Sequence, residues 1–168
     1  MPDTPIILKS LEDEGEKLRR VELQRNDDRN ERWLQDLIFR HANLLPVEVF
    51  DEVFAPPIPL AQELPAGGNS VDNVYVSPQG RLTLVETKLW KNPEKHRTVV
   101  AQIIEYASHL ATWNLDQLID AVERSSGPPG KKTLEDRIRP HVAGECVLRQ
   151  VLCHGENRFF VFGFARSV

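Results

Sequence analysis

The sequence contains little of what marks secreted or membrane-spanning proteins. Its 168 residues include only two cysteines, Cys146 and Cys153, which is too few for a disulfide scaffold and ordinary for a reducing compartment. No apolar run approaches the roughly 18 to 20 residues needed to span a bilayer. The N terminus also lacks the basic start and apolar core of a signal peptide. We therefore expect a soluble, cytoplasmic protein.

The sequence also lacks an excess of positive charge. Its 21 lysine and arginine residues are outnumbered by 25 aspartate and glutamate residues, which gives a formal net charge of -4. This balance argues against binding to nucleic acid or membrane through bulk positive charge, so any such contact must be local. Length and a hydrophobic content of 40% predict one domain with one core. We place an N-terminal extension at residues 1–25 and the domain at residues 26–168.

Helical patterns precede and follow a predicted β-hairpin. Residues 26–42 begin with capping residues and carry Trp33, Leu34, Leu37 and Ile38 at helical spacing, which predicts an amphipathic helix. Residues 47–70 are rich in proline and predict an irregular connection, with a short strand near residues 62–64 as its one candidate element.

The second half of the chain is predicted to be mainly helical before a final strand. Residues 94–113 predict a helix, and the apolar face of this helix is formed by Val100, Ile103, Ile104, Ala107 and Leu110. Further helices are predicted at residues 115–122, 133–139 and 145–153, and a buried strand at residues 158–165. Because so apolar a strand lies almost at Val168, we expect the natural chain to continue beyond it.

Two stretches rich in β-branched residues predict the hairpin. They cover residues 71–76 and 82–88 and flank Ser77-Pro78-Gln79-Gly80-Arg81. Proline suits the second position of a type I turn, and glycine suits the left-handed residue that follows. The pattern therefore favours a three-residue loop, Pro78 to Gly80, with a glycine bulge and with Ser77 opposite Arg81.

The register of this hairpin decides which charged side chains meet. Counting back from the turn places Asp72 opposite Glu86, and Lys88 shares their face because side chains alternate along a strand. A four-residue loop would instead pair Asp72 with Val85 and turn Glu86 to the other face. Only the first register brings three charged groups together.

Two carboxylates that face each other on a sheet call for a compensating cation. Like charges directly opposite each other destabilise a strand pair. Mg²⁺ takes one or two protein carboxylates and leaves its other positions to water and phosphate oxygen. With a lysine beside them to neutralise charge on a phosphate, Asp72, Glu86 and Lys88 predict metal-dependent phosphodiester hydrolysis. The alternative is that Glu86 and Lys88 form an exposed strand ion pair, the commoner meaning of Glu-x-Lys.

In their order along the chain, these motifs resemble the PD-(D/E)XK nuclease superfamily. The resemblance is carried by Glu31 in Asn30-Glu31-Arg32-Trp33, by Asp72, by Leu84-Val85-Glu86-Thr87-Lys88 and by Gln102-Ile103-Ile104-Glu105-Tyr106. Val71 departs from the pattern, since the family name has proline before the aspartate. The chain is most similar to branches with a Gln-x-x-x-Tyr helix, and residues 85–94 resemble an uncharacterised bacterial group. The resemblance implies an α/β domain of restriction-endonuclease-like architecture, a mixed central β-sheet flanked by helices.

The resemblance also implies a role for each motif residue. Asp72 and Glu86 would be ligands of Mg²⁺ or Mn²⁺, Glu31 would support that metal or a second one, and Lys88 would position the attacking water. Gln102 would line the site together with Tyr106, and both would contact the DNA backbone.

Several of these residues have a second interpretation. Glu31 lies where the helix dipole favours an acid in any case. Gln102 and Tyr106 stand one turn apart and could equally be half-buried polar residues that satisfy backbone groups. Beside the predicted site is a small basic cluster where a phosphate backbone would pass, or else simply a solvated helix start; it consists of Lys91, Lys95 and Arg97.

Together the motifs predict a metal-dependent nuclease that hydrolyses DNA, in DNA repair or defence, with RNA as the other candidate nucleic acid. One alternative is a catalytically silent module of the same fold that binds nucleic acid or a protein partner. Another is a structural domain of a larger defence or repair protein. Because many relatives dimerise to cut two strands, a homodimer is an expected assembly.

Overall fold

One four-stranded β-sheet with helices packed against both faces forms most of the described chain. The structure is a computed structural model that describes residues 30–90, 94–142 and 159–167, and also Ile6–Ile7, Ser10, Glu12 and Glu16–Lys17. For residues 6–7, 89–90, 94–97 and 159–167 it describes the backbone only. In the predicted N-terminal extension, strands β1 (Ile6–Ile7) and β2 (Glu16–Lys17) pair as a small antiparallel sheet.

The domain places two helices before the sheet and further helices between the third and fourth strands of the sheet. Its strands are β3 (Ile58–Ala66), β4 (Asn69–Val76), β5 (Leu82–Trp90) and β6 (Phe159–Ser167). Its helices are α1 (Glu31–Arg40), α2 (Val47–Phe50), α3 (Glu94–Leu110), α4 (Leu115–Arg124) and α5 (Leu134–Ile138). Strands β3, β4 and β5 run antiparallel to one another, and β6 lies parallel to β5 at the end of the sheet. The predicted mixed α/β class is therefore confirmed.

Helix α1 begins later than its sequence pattern predicted. Asn30 has an extended backbone, and its side chain accepts a hydrogen bond from the amide of Trp33 at 3.1 Å. Asn26 and the two aspartates after it have equally suitable capping side chains, so composition alone could not select among them. Asn30 is the N-cap because its side chain reaches a free amide of the first turn.

Strand β3 confirms the short strand predicted near residues 62–64, but it is longer, and it corrects the prediction that the rest of residues 47–70 is irregular. Pro59 and Pro65, which argued against a strand, both lie within it. They are accommodated because β3 is the first strand in the order of the sheet, and an edge strand needs ladder hydrogen bonds on one side only. Gly67 and Gly68 connect β3 to β4 with φ angles of +62° and +90°. Two adjacent left-handed residues are what a tight hairpin turn requires.

The hairpin of β4 and β5 confirms the first of the two predicted registers. Asn73 lies opposite Val85. In the loop, the Gly80 amide donates to the Ser77 carbonyl at 2.9 Å, and the Ser77 amide donates to the Arg81 carbonyl at 2.9 Å. Gly80 has φ +78°, so the predicted glycine bulge is present as well.

We expect Gly80→Ala to lower the free energy of unfolding by about 1 kcal/mol, because a side chain disfavours left-handed backbone. Gly80→Asn should lose less, since asparagine tolerates this conformation better than alanine. Urea denaturation of the two variants measures the difference. Equal losses in both would contradict a conformational cause.

Two apolar clusters fix the helices on opposite faces of the sheet. Alternate residues of β4 and β5 point to opposite faces, so that Val74 and Leu84 belong to one cluster and Tyr75 and Val85 to the other. The first cluster includes residues of α3, α4 and α5, and the second includes Ile38 and Phe39 of α1. Asp72 and Glu86 have the same parity as Val74 and Leu84, which places them on the side of the sheet that carries α3.

Helix α3 is rotated relative to the prediction. Its buried residues are Val99, Ile103, Tyr106 and Leu110, whereas Val100 and Ile104 are each 58% exposed. The prediction is confirmed for Ile103 and Leu110 and wrong for Val100 and Ile104, because it interpreted Tyr106 as polar. Its ring belongs to the buried stripe, which brings the phenol against the sheet.

The remaining helices agree with the pattern where they are described. Helices α4 and α5 begin at capping boxes formed by Asn114 with Gln117 and by Thr133 with Asp136. The helix predicted at residues 145–153 lies outside the described residues, and the final predicted strand corresponds to β6. None of the described helices combines the length and apolar character that crossing a membrane would require.

Candidate active site

Asp72 occupies the point where β4 and β5 separate. The described pairing of the two strands stops at Asn73 and Val85, and one further step places Asp72 opposite Glu86. Instead of a backbone carbonyl, the Asp72 carboxylate oxygen Oδ2 accepts hydrogen bonds from the amide and the hydroxyl of Thr87, both at 2.6 Å. The aspartate is therefore anchored between the strands by two short hydrogen bonds.

Glu86 and Lys88 form an ion pair, but Glu86 is buried, unlike in the exposed pair of the alternative interpretation. The Lys88 amine lies 2.9 Å from Oε1 of Glu86, and the Glu86 side chain is only 2% exposed. The other carboxylate oxygen, Oε2, is buried and has no hydrogen-bond partner among the described residues. A buried carboxylate with one unpartnered oxygen is costly, so this atom calls for a ligand.

The charges of the three residues act on one another. Burial raises the pKa of Glu86, and the nearby charge of Asp72 raises it further, while Lys88 lowers it. Burial also raises the pKa of Asp72 in spite of its hydrogen bonds to Thr87. Burial alone would lower the pKa of Lys88, but its hydrogen bond to Glu86 and the surrounding carboxylates outweigh this, and its pKa is raised. In this group, burial disfavours the ionised form of both carboxyl groups, whereas the charged form of Lys88 is stabilised.

Two other predicted site residues lie near this group. The charge of Glu31, the first residue of α1, helps to raise the pKa of Lys88. Tyr106 is 2% exposed, and its phenol pKa is raised by burial and by the charges of Glu86 and Asp72. The structure thus brings Glu31 and Tyr106 within electrostatic range of the three central residues.

For the other predicted site residues, the structure describes no contact with the site. Gln102 is half-buried on α3, one turn before Tyr106, and no described hydrogen bond joins it to the site. Lys91 lies outside the described residues. The backbones of Lys95 and Arg97 lie in the first turn of α3, and their side chains are outside the described part.

A polar network that the sequence analysis missed connects α1 to the strands beside Asp72. Gln35 is 4% exposed, and its amide donates to the Asp72 carbonyl at 2.7 Å and to Oε1 of Glu63 at 2.8 Å. The Asn73 side chain donates to the Gln35 carbonyl at 3.0 Å and accepts from Gln62 at 3.2 Å. These amides carried no periodic or spacing signal. Thr87 could have been found, because it lies between Glu86 and Lys88 in the predicted strand.

Asp72 and Glu86 are the two carboxylates that the strand register places opposite each other at this site. Among the described residues, no group of three or more histidine, cysteine, aspartate or glutamate side chains could hold a metal ion. Glu31 therefore stands near enough to influence Lys88 electrostatically but does not complete a three-ligand cluster with Asp72 and Glu86.

Comparisons of the chain with protein-family models, with curated proteins and with solved structures give no match. Functional assignment therefore depends on the residues of the site and their geometry.

Proposed function

We propose that this protein is a metal-dependent nuclease that hydrolyses phosphodiester bonds, with DNA as its substrate. The observation that carries the proposal is that Asp72, Glu86 and Lys88 come together where β4 and β5 separate, with a buried carboxylate oxygen of Glu86 that has no hydrogen-bond partner in the described part of the chain. The restriction-endonuclease-like architecture expected from the motifs is part of the same proposal. A mixed sheet between helical layers, with the motif residues on its central strands and on α3, supports it.

The donor atoms present suit a hard divalent cation. Among the described residues, Oε2 of Glu86 has no hydrogen-bond partner, and both described hydrogen bonds to the Asp72 carboxylate go to Oδ2. Two carboxylates are enough for Mg²⁺ or Mn²⁺, because such ions keep positions for water and phosphate oxygen. Asp72 and Glu86 would hold the ion, and Glu31 would add negative charge without ligating it directly. A cation bound there would supply Lewis-acid polarisation of the scissile phosphate.

Each remaining residue of the site has a part that its position supports. The Lys88 ammonium neutralises negative charge that develops on the phosphate and orients a water through its spare protons. The two hydrogen bonds from Thr87 keep the Asp72 carboxylate fixed, which lowers the cost of ordering it during the reaction. Tyr106 remains a neutral phenol at physiological pH and can donate a hydrogen bond to a phosphate oxygen.

A second candidate function is favoured by the ion pair itself. Lys88 lies 2.9 Å from Glu86 and already supplies a cation to one of the two carboxylates. A chain in which this pair replaces the metal would be a silent module that binds nucleic acid or a protein partner. Such a module would bind DNA without cutting it and would not bind Mn²⁺ at this site.

The test is a cleavage assay with supercoiled, linear, single-stranded and branched DNA, and with RNA, each with and without Mn²⁺. We expect Mn²⁺-dependent cleavage of DNA by the unaltered chain and its loss in Glu86→Gln, which keeps the size of the side chain and removes its charge. Isothermal titration calorimetry with Mn²⁺ should show binding to the unaltered chain and at least about tenfold weaker binding to the variant.

The matched control is Glu123→Gln, because Glu123 is an exposed glutamate of α4. It should leave both cleavage and Mn²⁺ binding unchanged. Cleavage that persists in Glu86→Gln would not come from the proposed site and would refute it. DNA binding without cleavage and without Mn²⁺ binding would establish the silent module instead.

A further inference from the structure

Glu63 has a backbone conformation that its residue type does not favour. It lies in β3 with φ +53°, and among the described residues it is the one non-glycine residue with a positive φ. Glycine or asparagine would adopt this left-handed conformation more readily than glutamate. A residue in such a conformation persists only where the surrounding structure holds it there.

The carboxylate of Glu63 collects donors from two elements. Its Oε1 accepts from Nη1 of Arg32 at 3.2 Å and from Nε2 of Gln35 at 2.8 Å, both on α1. Its Oε2 accepts from the hydroxyl of Ser70 on β4 at 2.8 Å. One carboxylate thus ties α1 to the hairpin formed by β3 and β4.

These contacts lead directly to Asp72. Glu63 lies opposite Asp72, because the flanking residues pair as Gln62 with Asn73 and Leu64 with Val71. The same Gln35 amide that donates to Glu63 donates to the Asp72 carbonyl at 2.7 Å. The position of Asp72 therefore depends on where Glu63 holds Gln35.

The same contacts also set the position of Glu31. It lies one helical turn before Gln35 on α1, so a shift of this helix moves Glu31 relative to Lys88. Glu63 therefore contacts the helix that carries Glu31 and shares Gln35 with the backbone of Asp72.

We propose that Glu63 is a positioning residue of the candidate active site, which fixes α1 and the Asp72 backbone relative to Glu86 and Lys88. This inference rests on the proposed nuclease function for its kinetic consequences. Its structural consequence, the placement of the Asp72 carboxylate against Thr87, stands independently of cleavage.

The test compares Glu63→Gly with Glu63→Gln. Glycine accepts the left-handed backbone but removes the carboxylate, whereas the glutamine side chain can still accept from Gln35 and donate to Ser70. We expect Glu63→Gly to lower kcat for DNA cleavage in Mn²⁺ about 30-fold while KM changes less than about twofold, because a misplaced catalytic group affects chemistry more than binding. Glu63→Gln should retain kcat within about threefold of the unaltered chain.

Hydrogen exchange of the Thr87 amide gives a readout that needs no activity. This amide donates to the Asp72 carboxylate, so its protection reports the placement of Asp72. In Glu63→Gly it should exchange at least about tenfold faster, while the amides of Ala121 and Val122 on α4 keep their protection. Gln35→Met, which leaves Glu63 in place and removes the bridge, should produce the same pair of effects if Glu63→Gly does not fold.

The outcomes separate the two proposals. Unchanged kcat and unchanged Thr87 protection in a folded Glu63→Gly would overturn the positioning role, and so would a glutamine variant as impaired as the glycine variant. If the unaltered chain neither cuts nucleic acid nor binds Mn²⁺, the proposed function fails. The exchange of Thr87 then decides the positioning role by itself: accelerated exchange upholds it and unaltered exchange overturns it.

Discussion

We expect Asp72→Asn to slow cleavage strongly while making the folded protein more stable. Activity should fall by about 100-fold or more, because an amide ligand replaces a carboxylate and a bound cation contributes several kcal/mol to such reactions. At neutral pH the free energy of unfolding should rise by about 1 kcal/mol, since the variant removes an active-site charge that folding penalises. The asparagine carbonyl can still accept both hydrogen bonds from Thr87.

The sign of this stability change follows from the pKa of Asp72. Its folded-state pKa lies above the ordinary value of 3.8 because the carboxylate is buried. Between the two values the folded protein binds more protons than the unfolded chain, so stability falls as pH rises through this window. The penalty is fully present above the folded-state pKa and absent below the ordinary value. The stability gain of Asp72→Asn should therefore vanish as pH falls below about 4.

Thermal unfolding at pH 7 and pH 3.5, together with cleavage rates, measures both effects. Asp120→Asn is the matched control, because Asp120 is an exposed aspartate of α4 and should change neither quantity appreciably. A variant that loses stability at pH 7 would show that the Asp72 charge supports the fold. The Asp72 carboxylate would then stabilise the fold, and its charge would not lower stability for the sake of function.

The second prediction concerns Lys88→Met, which should impair both activity and stability. Cleavage should slow by about 100-fold, because the ammonium no longer neutralises charge on the phosphate. The free energy of unfolding at pH 7 should fall by about 2 kcal/mol, the usual contribution of a hydrogen bond between charged groups. In this variant the buried Glu86 carboxylate has lost the ammonium that stabilised its charge.

The double variant Lys88→Met with Glu86→Gln should recover most of that stability but none of the activity. Its recovery measures the coupling between the two side chains, which a single substitution cannot do. Lys132→Met removes an exposed lysine and serves as the control. If Lys88→Met is as stable and as active as the unaltered chain, the ion pair at 2.9 Å has no part in the site.

The central geometry of the site could be predicted because it depends on local chemistry. Proline at 78 and glycine at 80 specify the loop, and the loop specifies the register. Because side chains alternate, the register then determines that Asp72 and Glu86 lie opposite each other. A short local sequence thus carried information about two strands.

The surroundings of the site depend on long-range packing, which left no pattern in the sequence. Glu63 gave no sign of its left-handed backbone, and the prolines on either side of it concealed the strand. Gln35 is a buried amide on a helix face that periodicity marks as polar. In α3, Tyr106 belongs to the buried stripe because its ring packs in the core, and the charges of Glu86 and Asp72 still raise the pKa of its phenol. Such amphipathic side chains defeat a binary apolar or polar assignment.

The most direct test of the site is a crystal of the unaltered protein soaked in Mn²⁺. We predict an anomalous peak that lies between about 2.0 and 2.6 Å from a carboxylate oxygen of both Asp72 and Glu86, as expected for a hard divalent cation with oxygen ligands. The absence of a peak there at saturating Mn²⁺, with the Lys88 amine still paired to Glu86, would contradict the assignment of this group as a metal-dependent active site.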